Sequence, residues 1–179
     1  MAKSDAFFLR AKVDSNGATY AQTEIDLGSF VNLGVSKSTL LRIHNISVQY
    51  ADAASVSDRI SDDTGNNICF QLTTQTQSAM VYATDKSLVA SGSLQMYNGV
   101  IAEDGSAAAD YATAFVTQDM DVAPQNWQNG YLVGVDSLFL GTKAAGAIDS
   151  GNVTISIVLE CTLENATQAN SVALALSQQ

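Results

Sequence analysis

The segment NVTISIVLECTL, residues 152–163, has the clearest pattern in the chain. Apolar side chains recur at every second position, and Thr, Ser and Glu fill most of the positions between them. Because successive side chains of a β-strand point to opposite faces, this alternation predicts a strand with one face in a core and the other toward solvent. The inward-facing residues are Val153, Ile155, Ile157, Leu159, Cys161 and Leu163.

The same two-residue period returns on both sides of this segment. GYLVGVDSLFLG (130–141) is apolar on both parities, which predicts a central strand covered on both faces. No sustained helical stripe is present, and AEDGSAAADYATAF (102–115) is expected to be a loop with at most one helical turn. Further strands are predicted in AFFLRAKVD (6–14), TYAQTEID (19–26), FVNLGV (30–35), LLRIHNISVQY (40–50), ICFQLT (68–73), SLVASGSLQMY (87–97), YATAFV (111–116) and NSVALALSQQ (170–179).

This strand rhythm predicts the fold class. About eight to ten evenly spaced strands, without helices or a linker, are typical of a sandwich or jelly roll. We expect one domain over residues 1–179, an all-β antiparallel sandwich that forms a single jelly roll of about eight strands. A chain of this length can bury about 70% of the surface that it exposes when unfolded, so it needs no metal or disulfide framework.

The segment 40–50 contains the only histidine, His44, and an interruption of the alternation. Its apolar positions change parity between Ile43 and Ile46, which predicts a β-bulge with His44 and Asn45 as the bulge pair. A hydrolytic triad would need His44 as its base, yet the chain has no GxSxG elbow. We therefore expect a structural histidine and no enzyme activity.

Metal, cofactor and carboxylate chemistry is not favoured either. One His and two distant Cys do not form a zinc cluster, and no glycine-rich phosphate loop is present, so no cofactor is expected. Glu24 and Asp26 could form a glycosidase pair, but nothing distinguishes them from ordinary outward-facing strand acids. The acidic residues considered as calcium ligands, which lack EF-hand spacing and are expected in solvated loops, are Asp58, Asp62, Asp63, Asp119 and Asp121.

Composition and charge favour a protein that binds other proteins. Charged residues make up 15% of the chain, below the usual quarter, and short uncharged polar groups take their place. Such a surface costs little to desolvate and suits packing against copies of the same chain, although exposed strands of any β domain share it. The formal net charge is −10, and the eight Lys and Arg form no cluster, so direct nucleic-acid binding is not expected.

No segment has the length of a membrane span, and the N-terminal apolar run is too short for a signal peptide. We therefore expect synthesis in the cytosol, with Cys69 and Cys161 as buried thiols. Trp127 follows the only proline, Pro124. It is expected to plug the end of the core or to contact another subunit, with sugar stacking beside Tyr131 as the alternative.

The strand rhythm of FFLRAKV, TEIDLGSFVNLGV, TLLRIHNISVQY, GYLVGVDSLFLG and NVTISIVLECTLENATQ resembles that of single jelly-roll major capsid proteins of icosahedral viruses. Because no Arg-rich N-terminal arm is present, the chain looks more like the small capsid proteins of sphaerolipovirus-like, membrane-containing viruses. The resemblance implies a structural protein that self-assembles in the host cytoplasm into pseudo-hexameric capsomers of a virion. It also implies proximity to an internal membrane without insertion, and it leaves open whether a second capsid protein takes part.

Under this reading, the irregular segments supply the contacts between subunits. The candidate intersubunit residues are Arg59, Asp62, Asp63, Tyr111, Asp119, Asp121, Trp127 and Tyr131. The alternative function is that of a carbohydrate-binding or adhesin-like sandwich, with Trp127 and Tyr131 as a stacking platform and an acidic loop that binds calcium.

Overall fold

The computed structural model describes residues 5–33, 37–51, 64–101, 111–145 and 153–178, and within these ranges it describes side chains except at 64–66, 97–101 and 111–115. The strands are β1 (Phe7–Asp14), β2 (Ala21–Asp26), β3 (Ser38–Ala51), β4 (Thr64–Thr73), β5 (Leu88–Ile101), β6 (Tyr111–Val122), β7 (Tyr131–Val133), β8 (Ser137–Ala144) and β9 (Thr154–Ala166). A 3₁₀ turn spans Pro124–Asn126, and a helix, α1, spans Gln168–Ser177.

The strands form two antiparallel sheets. Sheet I has the order β1-β9-β3-β7, and sheet II has the order β2-β8-β4-β5-β6. The pairs β1–β9, β2–β8, β3–β7 and β4–β5 are nested, as they are when a long hairpin is rolled into a jelly roll. This confirms the predicted fold class, and β6 is an additional strand at the outer edge of sheet II.

The core lies between the two sheets, where the predicted alternation places it. Ile155, Ile157 and Leu159 of β9 are fully or almost fully buried and belong to one cluster with Phe70 of β4 and Leu140 of β8. Cys161 is on the same inward face of sheet I, whereas Cys69 is half-buried on the outer face of sheet II. Both thiols are free, and their placement on different sheets does not bring them together.

The predicted bulge in β3 is confirmed. The register with β9 shifts between Ile43 and Asn45, so that His44 is the extra residue. Because of this extra residue, Ile43 and Ile46 are both buried although their parity differs. The half-buried His44 ring forms a 2.8 Å hydrogen bond between Nε2 and Oγ1 of Thr162.

Three predicted strands are wrong. In the predicted strand 30–35, the described residues 30–33 form no strand, because the amides of Phe30 and Val31 donate to the Leu27 carbonyl in a turn, and Asn32 makes a single bridge to Thr39. Residues 34 and 35 lie outside the described residues. The segment 130–141 is not one central strand; it divides into β7, at the edge of sheet I, and β8, inside sheet II. Its apolar residues on both parities reflect a chain that crosses from one sheet to the other.

The third wrong strand is the segment 170–179, which lies mostly in α1. The side chain of Thr167 caps this helix by accepting a hydrogen bond from the Asn170 amide, and the Ala and Leu residues that follow are strong helix formers. No helix in the described part of the chain has the length and apolar character needed to cross a bilayer.

Candidate intersubunit surface

A loop that begins with the 3₁₀ turn presents Trp127 at the surface. Pro124 is buried at the start of the 3₁₀ turn, and the Pro124 carbonyl accepts a hydrogen bond from the Trp127 amide. The indole of Trp127 is 43% exposed, so the expectation that Trp127 plugs the end of the core is wrong. Its ring centroid lies 5.8 Å from that of Tyr131, and burial raises the pKa of the Tyr131 hydroxyl. The two predicted aromatic residues thus form one surface feature.

The bulge in β3 and this loop hold each other in place. Gly130 has a φ of 62°, and a Cβ there would stand 2.2 Å from the Ile43 carbonyl oxygen, so only glycine fits. The side-chain amide of Gln125 donates to the carbonyl of Ile46 and accepts from its amide, each at 3.2 Å. Gln125 therefore takes the place of a neighbouring strand where β3 extends beyond β7.

A groove of about 750 Å³ lies between α1 and the outer face of sheet I. Leu40 points to this outer face and is nevertheless buried, because the helix covers it. Arg42 forms a bidentate ion pair with Glu164, with Nε–Oε1 and Nη2–Oε2 distances of 2.6 and 2.8 Å. The hydrogen bonds to Glu164 raise the pKa of the Arg42 guanidinium, so the pair stays charged.

The extra strand β6 forms one side of the molecule. Its residue Val116 faces the inner side of sheet II, is 62% exposed and lines a small pocket together with Val48 and Tyr50 of β3. Asp119 and Asp121, expected in a loop, lie on this strand and are exposed. The register with β5 shifts between Ser91 and Gly92, which leaves Asp121 as a bulged residue.

The opposite side of the molecule is formed by β1 and β2. On the outer face of β1, Phe8 is 54% exposed, and the Arg10 guanidinium lies 5.9 Å from the centroid of its ring. Lys12 is exposed on the same face. On β2, Glu24 accepts a hydrogen bond from the Ser137 hydroxyl, and Asp26 accepts one from the Gly28 amide, so each acid has a local structural partner.

The remaining predicted contact residues are not placed by the structure. Arg59, Asp62 and Asp63 lie outside the described residues, as does Asp58 of the same acidic segment. Tyr111 begins β6, but its side chain is outside the described part. Among the described residues, no three His, Cys, Asp or Glu side chains form a group that could hold a metal ion.

Sequence reasoning missed the covered outer face of sheet I. The sign of it in the sequence is that Leu40 and Leu41 are consecutive apolar residues in a strand that otherwise alternates. The exposed face of α1, with Val172 and Leu176, was missed for the same reason, because the helix itself was not predicted.

The chain is similar in fold to the VP1 proteins of polyomaviruses. Apo VP1 of New Jersey Polyomavirus is 8% identical with a TM-score of 0.42, and the match covers 90% of this chain and 99% of that one. VP1 of Trichodysplasia spinulosa-associated polyomavirus in complex with sialylated glycooligomers is 10% identical, with a TM-score of 0.38 and coverages of 88% and 95%. The unassembled pentamer of Merkel Cell Polyomavirus VP1 is 12% identical, with a TM-score of 0.32 and coverages of 84% and 78%.

These likenesses concern the arrangement of strands and transfer no residue role to this chain. No family model matches the chain, and no curated protein matches it by sequence.

Proposed function

We propose that this protein is a structural capsid subunit, which assembles with copies of itself into the icosahedral shell of a virus. Assembly takes place in the host cytoplasm, the finished protein is part of the virion, and a second capsid protein is a possible partner in the capsomers. The sphaerolipovirus-like grouping belongs to the same proposal. It is supported by the scattered positions of the Lys and Arg in the sequence, since a shell that contacts its genome needs clustered cations.

One observation carries the proposal: exposed large apolar side chains lie on several separate parts of the surface. Among the described residues they are Phe8 on β1, Tyr82 between β4 and β5, Val116 on β6, Trp127 beside the 3₁₀ turn, and Val172 and Leu176 on α1. A ligand-binding protein gathers its apolar contacts in one concave pocket. A shell subunit has neighbours on several sides at once, and each side needs its own apolar contact.

The energetic argument is one of repetition. Full burial of one Val, Leu or Phe side chain contributes about 1.5–3 kcal/mol, so a single contact is weak. A closed shell repeats each contact in every subunit, and each subunit is held by several neighbours. The low charge density, 15% of residues, limits the desolvation cost of these contacts.

Light scattering and negative-stain microscopy of the purified protein test this proposal. We expect capsomers or particles at high protein concentration, and we expect Phe8→Ser together with Leu176→Ser to shift the population toward monomers. Both side chains are more than half exposed, so the variant should keep the wild-type circular dichroism and melting temperature. A wild-type protein that remains monomeric at every salt and protein concentration would contradict the proposal.

The exposed Trp127 and the half-buried Tyr131 beside it support a second candidate, carbohydrate binding. Their centroids are 5.8 Å apart with a 34° angle between the rings, and such an aromatic surface can stack on a sugar ring. A glycan array would test it with the wild type and Trp127→Ala. Binding that is lost in the variant supports this candidate, and binding to no glycan excludes it.

A further inference from the structure

We propose that neighbouring copies join edge to edge, with β1 of one copy against β6 of the next. This inference rests on the proposed function and specifies its partner surface. The two strands lie on opposite sides of the sandwich, since β1 packs over β2 and β8, whereas β6 ends the other side of sheet II.

Both strands have a free edge within the described part of the chain. There β1 pairs with β9 alone, and β6 pairs with β5 alone. An edge strand presents a row of unpaired amides and carbonyls, which is a template for pairing with another chain. The 12 residues of β6 make it a long edge, longer than the 8-residue β1.

In the middle of the β1 edge two cations stand beside one exposed apolar side chain, and Asp14, which accepts a hydrogen bond from the Thr154 hydroxyl, ends the strand. Arg10 and Lys12 project from its outer face beside the exposed ring of Phe8. On the neighbouring strand β9, Glu160 lies opposite Phe8. Two cations on one edge are distinctive in a chain with a formal net charge of −10.

The β6 edge is acidic and also has one exposed apolar side chain. Asp119 and Asp121 are exposed, and the bulge at Asp121 turns the strand locally. Val116 supplies an exposed apolar side chain three residues before Asp119. On β1 the ring of Phe8 lies on the same outer face as Arg10 and Lys12, whereas on β6 Val116 faces the inner side of sheet II and Asp119 the outer side.

These charges select a head-to-tail contact over a symmetric one. Pairing β1 with β1, or β6 with β6, places like charges opposite each other, which is unfavourable. Pairing β1 with β6 places Arg10 and Lys12 near the two aspartates. A contact between two different patches is heterologous, and such contacts close into a ring when the rotation from one copy to the next closes. The local attraction also explains how subunits that repel through their net charge can associate.

Charge reversal tests this contact. We expect Arg10→Glu with Lys12→Glu to lower the association constant about tenfold or more, because attraction becomes repulsion. Asp119→Lys with Asp121→Lys should have the same effect. The quadruple variant should regain wild-type association, and its four reversals cancel, so it keeps the formal net charge of −10. Sedimentation velocity measures the association constant, and circular dichroism checks folding.

A matched control reverses two exposed cations away from these edges, Lys86→Glu and Lys143→Glu. It changes the net charge as much as the β1 reversal does and should change association far less. If a reversal variant does not fold, Arg10→Gln with Lys12→Gln and Asp119→Asn with Asp121→Asn remove the charges, with a smaller expected loss.

The outcomes separate this contact from the proposed function. If the wild type assembles and both reversals assemble equally well, or if the folded quadruple variant stays as weak as the doubles, the edge contact is wrong while the capsid function stands. If the wild type never assembles, both are wrong. Loss in each double variant and recovery in the quadruple variant would establish the contact.

Discussion

The hydroxyl of Tyr50 is a buried polar atom with no hydrogen-bond partner in the described part of the chain. The ring contributes to the core by packing edge-on against Phe70, with 6.5 Å between centroids, but burial raises the pKa of the hydroxyl and leaves it desolvated. Burying an unpaired hydroxyl costs about 1–3 kcal/mol. We expect Tyr50→Phe to raise the free energy of unfolding by about 1 kcal/mol, measured by urea denaturation at pH 7.

Tyr20 provides the matched control, because its hydroxyl has partners. It accepts a 2.9 Å hydrogen bond from Nε2 of the fully buried Gln71 and donates a 3.3 Å hydrogen bond to Gln22. Tyr20→Phe leaves the Gln71 amide short of one partner, so we expect a loss of about 1–2 kcal/mol. Equal destabilisation by both variants would show that the Tyr50 hydroxyl is satisfied after all.

Single residues differ in how far the sequence reveals their roles. The bulge at His44 was predictable, because an extra residue in a half-buried strand must shift the parity of the apolar positions that follow. The requirement for glycine at position 130 was not, because it comes from the Ile43 carbonyl, which is distant in the chain. The same holds for the Arg42–Glu164 pair, whose partners are 122 positions apart.

At the scale of elements, α1 shows why a short apolar period can mislead. Val172, Leu174 and Leu176 alternate as they would on a strand, but the same residues fit a helix in which Ser171 and Gln178 face the protein. Sequence alone could not decide, because the decision depends on what the segment packs against. The Ser171 hydroxyl donates to Ser38 at 2.9 Å, and this contact fixes the helix beside β3.

Gln178 is the anchor of α1. Its side chain accepts from the Gly134 amide at 2.8 Å and donates to the Leu132 carbonyl at 2.6 Å, while its carbonyl accepts from the Thr74 hydroxyl at 2.7 Å. Gln178→Ala leaves the buried Gly134 amide unpaired. We expect this variant to lose about 1–3 kcal/mol of stability and to speed hydrogen exchange in α1.

Gly134→Ala tests the same docking from the other side. A Cβ at this position would stand 2.8 Å from Cγ of Leu174, so either the Leu174 side chain or the helix must shift, at a cost of about 1–3 kcal/mol. Because both changes act on one contact, the double variant should be less destabilised than the sum of the two, as measured by urea denaturation. Strict additivity would show that Gln178 and Gly134 act independently.

At the scale of the whole molecule, the two-layer sandwich was predictable, because the alternation of apolar and polar residues along each strand shows which face is inward. The order of the strands in each sheet was not predictable, because strands that are far apart in the sequence, such as β1 and β9, pair with each other. The crossing between β7 and β8 was hidden because a chain that leaves one sheet for the other remains apolar throughout. The candidate surface was predictable at Trp127 and Tyr131, but the opposed charges of the β1 and β6 edges emerge only when the sheets are assembled.

The buried thiol at the centre of this sandwich makes the stability of the whole molecule depend on pH. Burial, together with the nearby Glu160, raises the pKa of Cys161 from 9.0 to about 12. Between these values the unfolded chain releases a proton that the folded chain keeps, so rising pH favours the unfolded state. The free energy of unfolding therefore keeps its full value below pH 9, and above pH 9 it falls by up to about 1.4 kcal/mol per pH unit.

Urea denaturation at several pH values from 8 to 10 would measure this slope. The upper limit is set by the ordinary pKa of a tyrosine, about 10, because above it the tyrosines add to the slope. Cys161→Ala removes the titrating group and leaves a small cavity, so it should lower stability at every pH but flatten the slope. Cys69, whose pKa burial also raises, remains in the variant and keeps part of the slope. Equal slopes in wild type and variant would mean that Cys161 ionises in the folded protein as readily as in the unfolded chain, and that the inner face of sheet I admits solvent.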